Sequence, residues 1–179
     1  MKANIISFVG FQIGWFGAIL GAARGWTWLG PSIVSMLLVL HLAGERRRGP
    51  ALAVLLLVGV LGYLVDSALV LGGVFTFPEA ARLGGPSTLW MVSMWVNLAI
   101  AVRGCMAWMR GRWLLAAVLG AISGPLSYWA GARLGAIELT VPVARAIAVI
   151  GVEWVIAFPL LIWLLLSPQL RWRGREVAA

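Results

Sequence analysis

Asp66, Arg103 and Glu153 each fall inside a long apolar run of the chain, and His41 stands at the edge of another. An ionisable side chain in hydrocarbon costs about 2.5–3.5 kcal/mol even on the lenient insertion scale, so each one kept there is a candidate for function or for an internal pair. At about 1.5 Å of rise per helical residue, Asp66 lies roughly 10 Å and Glu153 roughly 13 Å from the same surface. Arg103 lies nearer the opposite surface, and His41 almost at it, where it simply reaches water. Across a hydrocarbon core about 30 Å thick, Arg103 and Glu153 differ by about 8 Å in depth, against about 11 Å for Arg103 and Asp66. A long arginine bridges the smaller gap, so depth pairs Arg103 with Glu153. Asp66 is left with Tyr128, and with Arg133 reaching down from the end of its run, while Asn97 can join either group.

Two readings of these groups stay open. One is a satisfied internal network holding the last four apolar runs together. The other is a polar cavity open to the outer side, in which Asp66 or Glu153 carries a proton or binds a polar head group. Under the second, Asp66→Asn abolishes activity with little loss of folded protein.

The elements that must position these residues follow from composition. Of 179 residues, 62% are hydrophobic and 11% charged, where soluble domains carry roughly a quarter charged. A mean hydropathy of +0.98 with 22 Gly, 8 Pro and 11 Trp excludes a water-soluble globule, a disordered tail and a coiled coil. The expectation is an all-α polytopic membrane protein, one integral domain over residues 1–179 with spans at 5–23, 26–43, 51–73, 89–109, 113–132 and 144–166. The first run reads as a retained span and not a cleaved signal, because Gln12 and Trp15 interrupt its apolar core. Arg110-Gly111-Arg112 is a tight turn that makes the fourth and fifth spans antiparallel neighbours.

The net charge of +8 resides in short loops, which fits topology and anionic lipid head groups, and excludes a nucleic-acid partner. One side collects Lys2, Arg46, Arg47, Arg48, Arg110, Arg112, Arg171, Arg173 and Arg175; the other has Arg24, Arg82, Arg133 and Arg145. The richer side is cytoplasmic by the positive-inside rule, which places both termini inside. Trp26, Trp28, Trp90 and Trp129 then form an outer aromatic belt, and Trp108, Trp113, Trp163 and Trp172 an inner one.

Gly10, Gly14, Gly17 and Gly21 share one face of the first span, and Gly120, Gly124, Gly131 and Gly135, with Ser127, one face of the fifth. Small faces let helices approach closely in lipid, here within the chain or, as the alternative, at a homodimer seam or against a membrane-protein partner. Pro125 and Pro159 remove helix hydrogen bonds inside the fifth and sixth spans. Cys105 is the single cysteine, so no internal disulfide forms. No metal-ligand spacing, Walker loop or nucleophile elbow occurs, so no catalytic residue, cofactor or metal is assigned, and Ser123 and Ser127 have no histidine at their depth.

The stretch Gly120-Ala-Ile-Ser-Gly-Pro-Leu-Ser-Tyr-Trp-Ala-Gly-Ala-Arg-Leu-Gly135 resembles part of a bacterial family of small multi-spanning inner-membrane proteins catalogued as a domain of unknown function. Phe11-Gln12-x-Gly14-Trp15, Asp66, Leu89-Trp90, Trp95, Trp108 and Glu153-Trp154 before Pro159 agree with it in order. Val102-Arg103-Gly104-Cys105 departs from a more polar stretch in that family. The resemblance implies a membrane-lipid role, because such proteins are encoded beside cyclopropane-type fatty-acid synthases and other lipid-modifying or photo-oxidative-stress genes. The function expected is accessory to lipid modification or amphiphile handling through a polar pocket in the outer half of the bundle, with membrane lipids as partners. A small proton-coupled transporter using Glu153 or Asp66, or a structural subunit of a membrane complex, is the alternative.

Overall fold

The computed structural model describes residues 2–167; Arg171, Arg173, Arg175 and Trp172 lie outside them. Six α-helices carry the apolar runs: α1 (Lys2–Ala23), α2 (Leu29–Ala43), α3 (Arg48–Leu71), α4 (Leu89–Arg103), α5 (Trp113–Arg133) and α6 (Val143–Leu166). Prolines stand where helices begin and an N–H donor is not needed: Pro31 and Pro50 in the first turns of α2 and α3, Pro142 immediately before α6. Gly25 and Gly111, with φ of 75° each, turn the chain between elements in a conformation that side chains rarely adopt. Four helices are long and apolar enough to cross a membrane, namely Asn4–Ala23, Arg48–Leu71, Trp113–Arg133 and Val143–Leu166. The chain is a helical membrane protein in which α2 and α4 are shorter, at 15 residues each.

The fourth run is not one helix over 89–109. α4 stops at Arg103, and a 3-10 turn (Ala107–Met109) continues to α5. The break lies at Gly104, where Ser7 of α1 occupies the space a side chain would need, and the Ser7 hydroxyl accepts a hydrogen bond from the Cys105 N–H at 3.1 Å.

α4 is the central element, packed against α1, α2, α3 and α6, whereas α5 packs chiefly on α6 and not on α4. The tight turn between the fourth and fifth elements therefore does not make them close neighbours. Small residues decide this: a side chain at Gly120 would strike the Trp154 carbonyl, and one at Gly151 would sit 3.5 Å from Pro125. The stripe on α1 is likewise filled from within the chain. A Cβ at Gly10 would lie 3.3 Å from Leu37 and one at Gly21 2.9 Å from Leu29; Ile33 faces Gly17 and Asn97 faces Gly14. Gly135 belongs to no helix face, since it follows the end of α5 with a φ of 85° and serves the turn; Gly131 is packed near Ile137.

At one end the two connections α3–α4 and α5–α6 lie side by side and form a small cap, which amends the all-α expectation. Its strands β1 (Phe75–Thr76) and β2 (Glu138–Leu139) pair antiparallel, Phe75 opposite Leu139 and Thr76 opposite Glu138. The Thr140 hydroxyl donates to the Gly73 carbonyl at 2.6 Å, and Arg82 donates to the Phe77 carbonyl at 3.1 Å. Phe75, Phe77, Ala81 and Ile137 are buried beneath it with Trp90. Trp90 therefore does not stand in the outer belt: it is 1% exposed and donates its indole N–H to the Ala81 carbonyl at 2.9 Å. Trp26, Trp28, Trp108, Trp113, Trp129 and Trp163 are exposed.

Candidate intramembrane site

Asp66 lies in the C-terminal quarter of α3 and is fully buried. Its Oδ2 accepts the indole N–H of Trp95 from α4 at 2.7 Å, and its Oδ1 accepts the hydroxyl of Tyr128 from α5. An indole N–H is a donor only, so both carboxyl oxygens act here as acceptors of neutral donors, and the buried polar groups are satisfied. Glu153 on α6 lies within electrostatic range of Asp66 and Tyr128. Its own two oxygens are buried and have no hydrogen-bond partner among the described residues.

Glycines make the room for this arrangement. Gly62, one turn before Asp66 on the same face of α3, leaves the space that the Trp95 indole fills, and Gly124 on α5 does the same for Trp154. The two indoles stack with ring centroids 5.1 Å apart and planes within 16°. A slab of two tryptophans thus stands between a glycine of α3 and a glycine of α5, with the carboxyl of Asp66 at its polar edge.

Three predicted partners are elsewhere. Arg103 does not pair with Glu153: as the last residue of α4 it turns toward the end of the bundle and donates to Glu45, between α2 and α3, at 2.7 Å. His41, one helical turn before Glu45, lies 3.5 Å from the same carboxylate oxygen. Arg133 does not reach down to Asp66; it is exposed at the end of α5, and Trp95 holds the place expected for it. Asn97 joins neither group. It donates to the Phe11 carbonyl of α1 at 2.9 Å and lies over Gly14, tying α1 to α4. Of the expected polar set, Asp66, Tyr128 and Glu153 come together.

The tryptophans and Glu45 were not singled out as polar partners by sequence. The adjacency of Glu153 and Trp154, and the four-residue spacing of Gly62 and Asp66, are the signals that point to them.

Beside the tryptophan slab a cavity of about 560 Å³ separates α1 and α4 from the α5–α6 hairpin. That volume is in the usual range for small-molecule sites. Phe11, Trp15, Met91, Met94, Leu98 and Phe158 belong to its apolar wall, and Trp95, Tyr128 and Trp154 line it too. Asp66 and Glu153 stand behind that wall and do not line it. The Trp15 indole N–H donates to the Ser127 hydroxyl at 2.9 Å, joining α1 to α5.

These features define a helical membrane protein with a buried carboxyl network beside a cavity between helices. Residues 4–160 match the family described as a protein of unknown function (DUF2878), and the chain belongs to that family. No curated protein and no solved structure matches the chain.

Proposed function

We propose that the chain crosses the bacterial inner membrane six times with both termini cytoplasmic, and takes a membrane lipid or other amphiphile into the cavity beside Trp95 and Trp154. Its role is accessory to lipid modification or lipid handling. The observation that carries this reading is the cavity itself, roomy, aromatic and rich in methionine, between two groups of helices. The Arg103–Glu45 pair brings the end of α4 to the α2–α3 connection, so exposed Arg46, Arg47, Arg48, Arg110 and Arg112 belong to one end, which supports the orientation. The short helices α2 and α4 rise only about 22 Å each. Their flanking turns supply the rest of the thickness. The resemblance to proteins encoded near cyclopropane-type fatty-acid synthases supports the word lipid.

Comparative lipid mass spectrometry tests it, on a deletion strain complemented with the natural chain or with Ala130→Trp, which fills the cavity wall. A lipid change in the deletion strain, restored by the natural chain and not by Ala130→Trp, is the expected result. Equal lipid profiles in all strains, with no amphiphile retained by the purified protein, overturn it. A proton-coupled transporter is the second reading, favoured by the unpartnered buried oxygens of Glu153 beside Asp66. It requires proton uptake with solute movement in vesicles, lost in Glu153→Gln.

A further inference from the structure

We infer that the ligand of the cavity is an uncharged amphiphile with a hydroxyl or carbonyl head, admitted sideways from the bilayer between α1 and α5. This rests on the reading that the cavity binds an amphiphile, and adds the head-group chemistry and the route.

Among the described residues the wall supplies no cation: no Lys, Arg or His of theirs lines the cavity. The basic residue of α4, Arg103, is engaged with Glu45 at 2.7 Å. The ionisable groups behind the wall, Asp66 and Glu153, are both acids. An anionic head would meet no cationic partner among the described lining residues and would lose its hydration as well. A cationic head gains little, because both oxygens of Asp66 are engaged by Trp95 and Tyr128, and neither Asp66 nor Glu153 is among the described residues lining the cavity.

What the wall does offer is neutral hydrogen bonding. Gln12 of α1 and Ser123 of α5 line the cavity near the middle of their helices, and neither has a partner among the described residues. An amide and a hydroxyl each donate and accept, which matches an alcohol, ester or ketone oxygen.

The route follows from what closes the other sides. The cap, with Phe75 and Ile137 buried at its base, lies over one end, and Met109 is buried in the turn at the other. Between α1 and α5 the rim is crossed by the Trp15–Ser127 hydrogen bond and is otherwise open: Phe16 and Leu126 line the cavity and are also 48% and 56% exposed. Ser123 on the same rim is exposed too.

The test uses the purified full chain in phosphatidylcholine vesicles and three photoreactive probes sharing one diazirine-bearing alkyl tail, ending in an alcohol, a sulfonate or a quaternary ammonium. Peptide mass spectrometry compares labelling of wall residues such as Met94 and Phe158 with that of exposed Val60 and Leu64 on α3. The alcohol is expected to label the wall at least about tenfold more than either charged probe, a difference of about 1.4 kcal/mol. All three should label Val60 and Leu64 alike. Ser123→Lys, on the exposed rim, should raise sulfonate labelling of the wall to the level of the alcohol, with Gln12→Lys as the second variant; Ser123→Trp should block the alcohol. Equal wall labelling by alcohol and sulfonate, or an excess with the ammonium, overturns the neutral head and leaves the cavity reading standing. Unchanged alcohol labelling in Ser123→Trp overturns the sideways route. Wall labelling no greater than at Val60 and Leu64 with every probe takes down the cavity reading as well.

Discussion

Glu45, between α2 and α3, and Asp66, in the C-terminal quarter of α3, are both acids set among apolar helices, and their partners have nothing in common. Glu45 meets the guanidinium of Arg103 at 2.7 Å, and the two side chains keep 29% and 24% of their surface exposed. Asp66 keeps none, and meets a phenol hydroxyl and an indole N–H. At the end of the bundle both members of an ion pair remain partly hydrated, so pairing them costs little. In the interior a cation would have to be dehydrated along with the carboxyl, a penalty that Coulomb attraction often fails to offset. Neutral donors answer the hydrogen-bonding need of Asp66 without a second buried charge. Depth arithmetic puts Arg103 with Glu153 because it counts distance and omits this asymmetry.

The contrast can be broken at several points. Gly62→Val should have the largest effect, because its side chain would occupy the place of the Trp95 indole and strip Asp66 of a donor. A loss of roughly 3 kcal/mol or more is expected from overpacking and the broken hydrogen bond together. Thermal melting in detergent, followed by size-exclusion chromatography, measures it; a wild-type melting curve would mean that Trp95 is not held by this slot. Asp66→Asn comes next, at about 1–3 kcal/mol, since the amide nitrogen cannot accept from Trp95 or Tyr128. The geometry thus reverses the expectation that this substitution spares the fold, and an unshifted melting midpoint would restore it.

Tyr128→Phe removes one donor and leaves the other, so about 0.5–1.5 kcal/mol should be lost by the same measurement. Arg103→Gln should cost least, about 0–1 kcal/mol, with the difference shrinking as salt is raised. If Arg103→Gln proves more damaging than Asp66→Asn, the ranking of edge against interior is wrong. A double-mutant cycle of Arg103→Gln with Glu45→Gln sharpens the point: a coupling well above about 1 kcal/mol would show that the pair behaves as a buried one.

Helix positions were legible because apolar runs bounded by Arg, Gly and Pro announce themselves without any knowledge of neighbours, as at Arg46 to Pro50. The break at Gly104 was not, because it depends on Ser7, about a hundred residues away in sequence, occupying the space beside it. Asp66 with Tyr128 was found by depth, a one-dimensional quantity. Trp95 was missed as a donor because direction around the helix axis, and not depth, turns its N–H toward α3. The glycine stripes suggest close approach, but which helix comes close depends on packing: α2 and α4 meet the stripe of α1, and α6 meets Gly120 and Gly124 of α5.

The pairing of α5 with α6, and of α1, α2, α3 and α4 among themselves, sorts the helices into two packing groups of unequal size, joined where α4 meets α6. Synthesis from the N-terminus completes the four-helix part before the hairpin exists, so the hairpin docks last, as a preformed leaf whose tryptophan finds its stacking partner already in place. Thermal breathing runs the same sequence backwards. The first amides to exchange should be those along the seam between leaf and body, ahead of those within either.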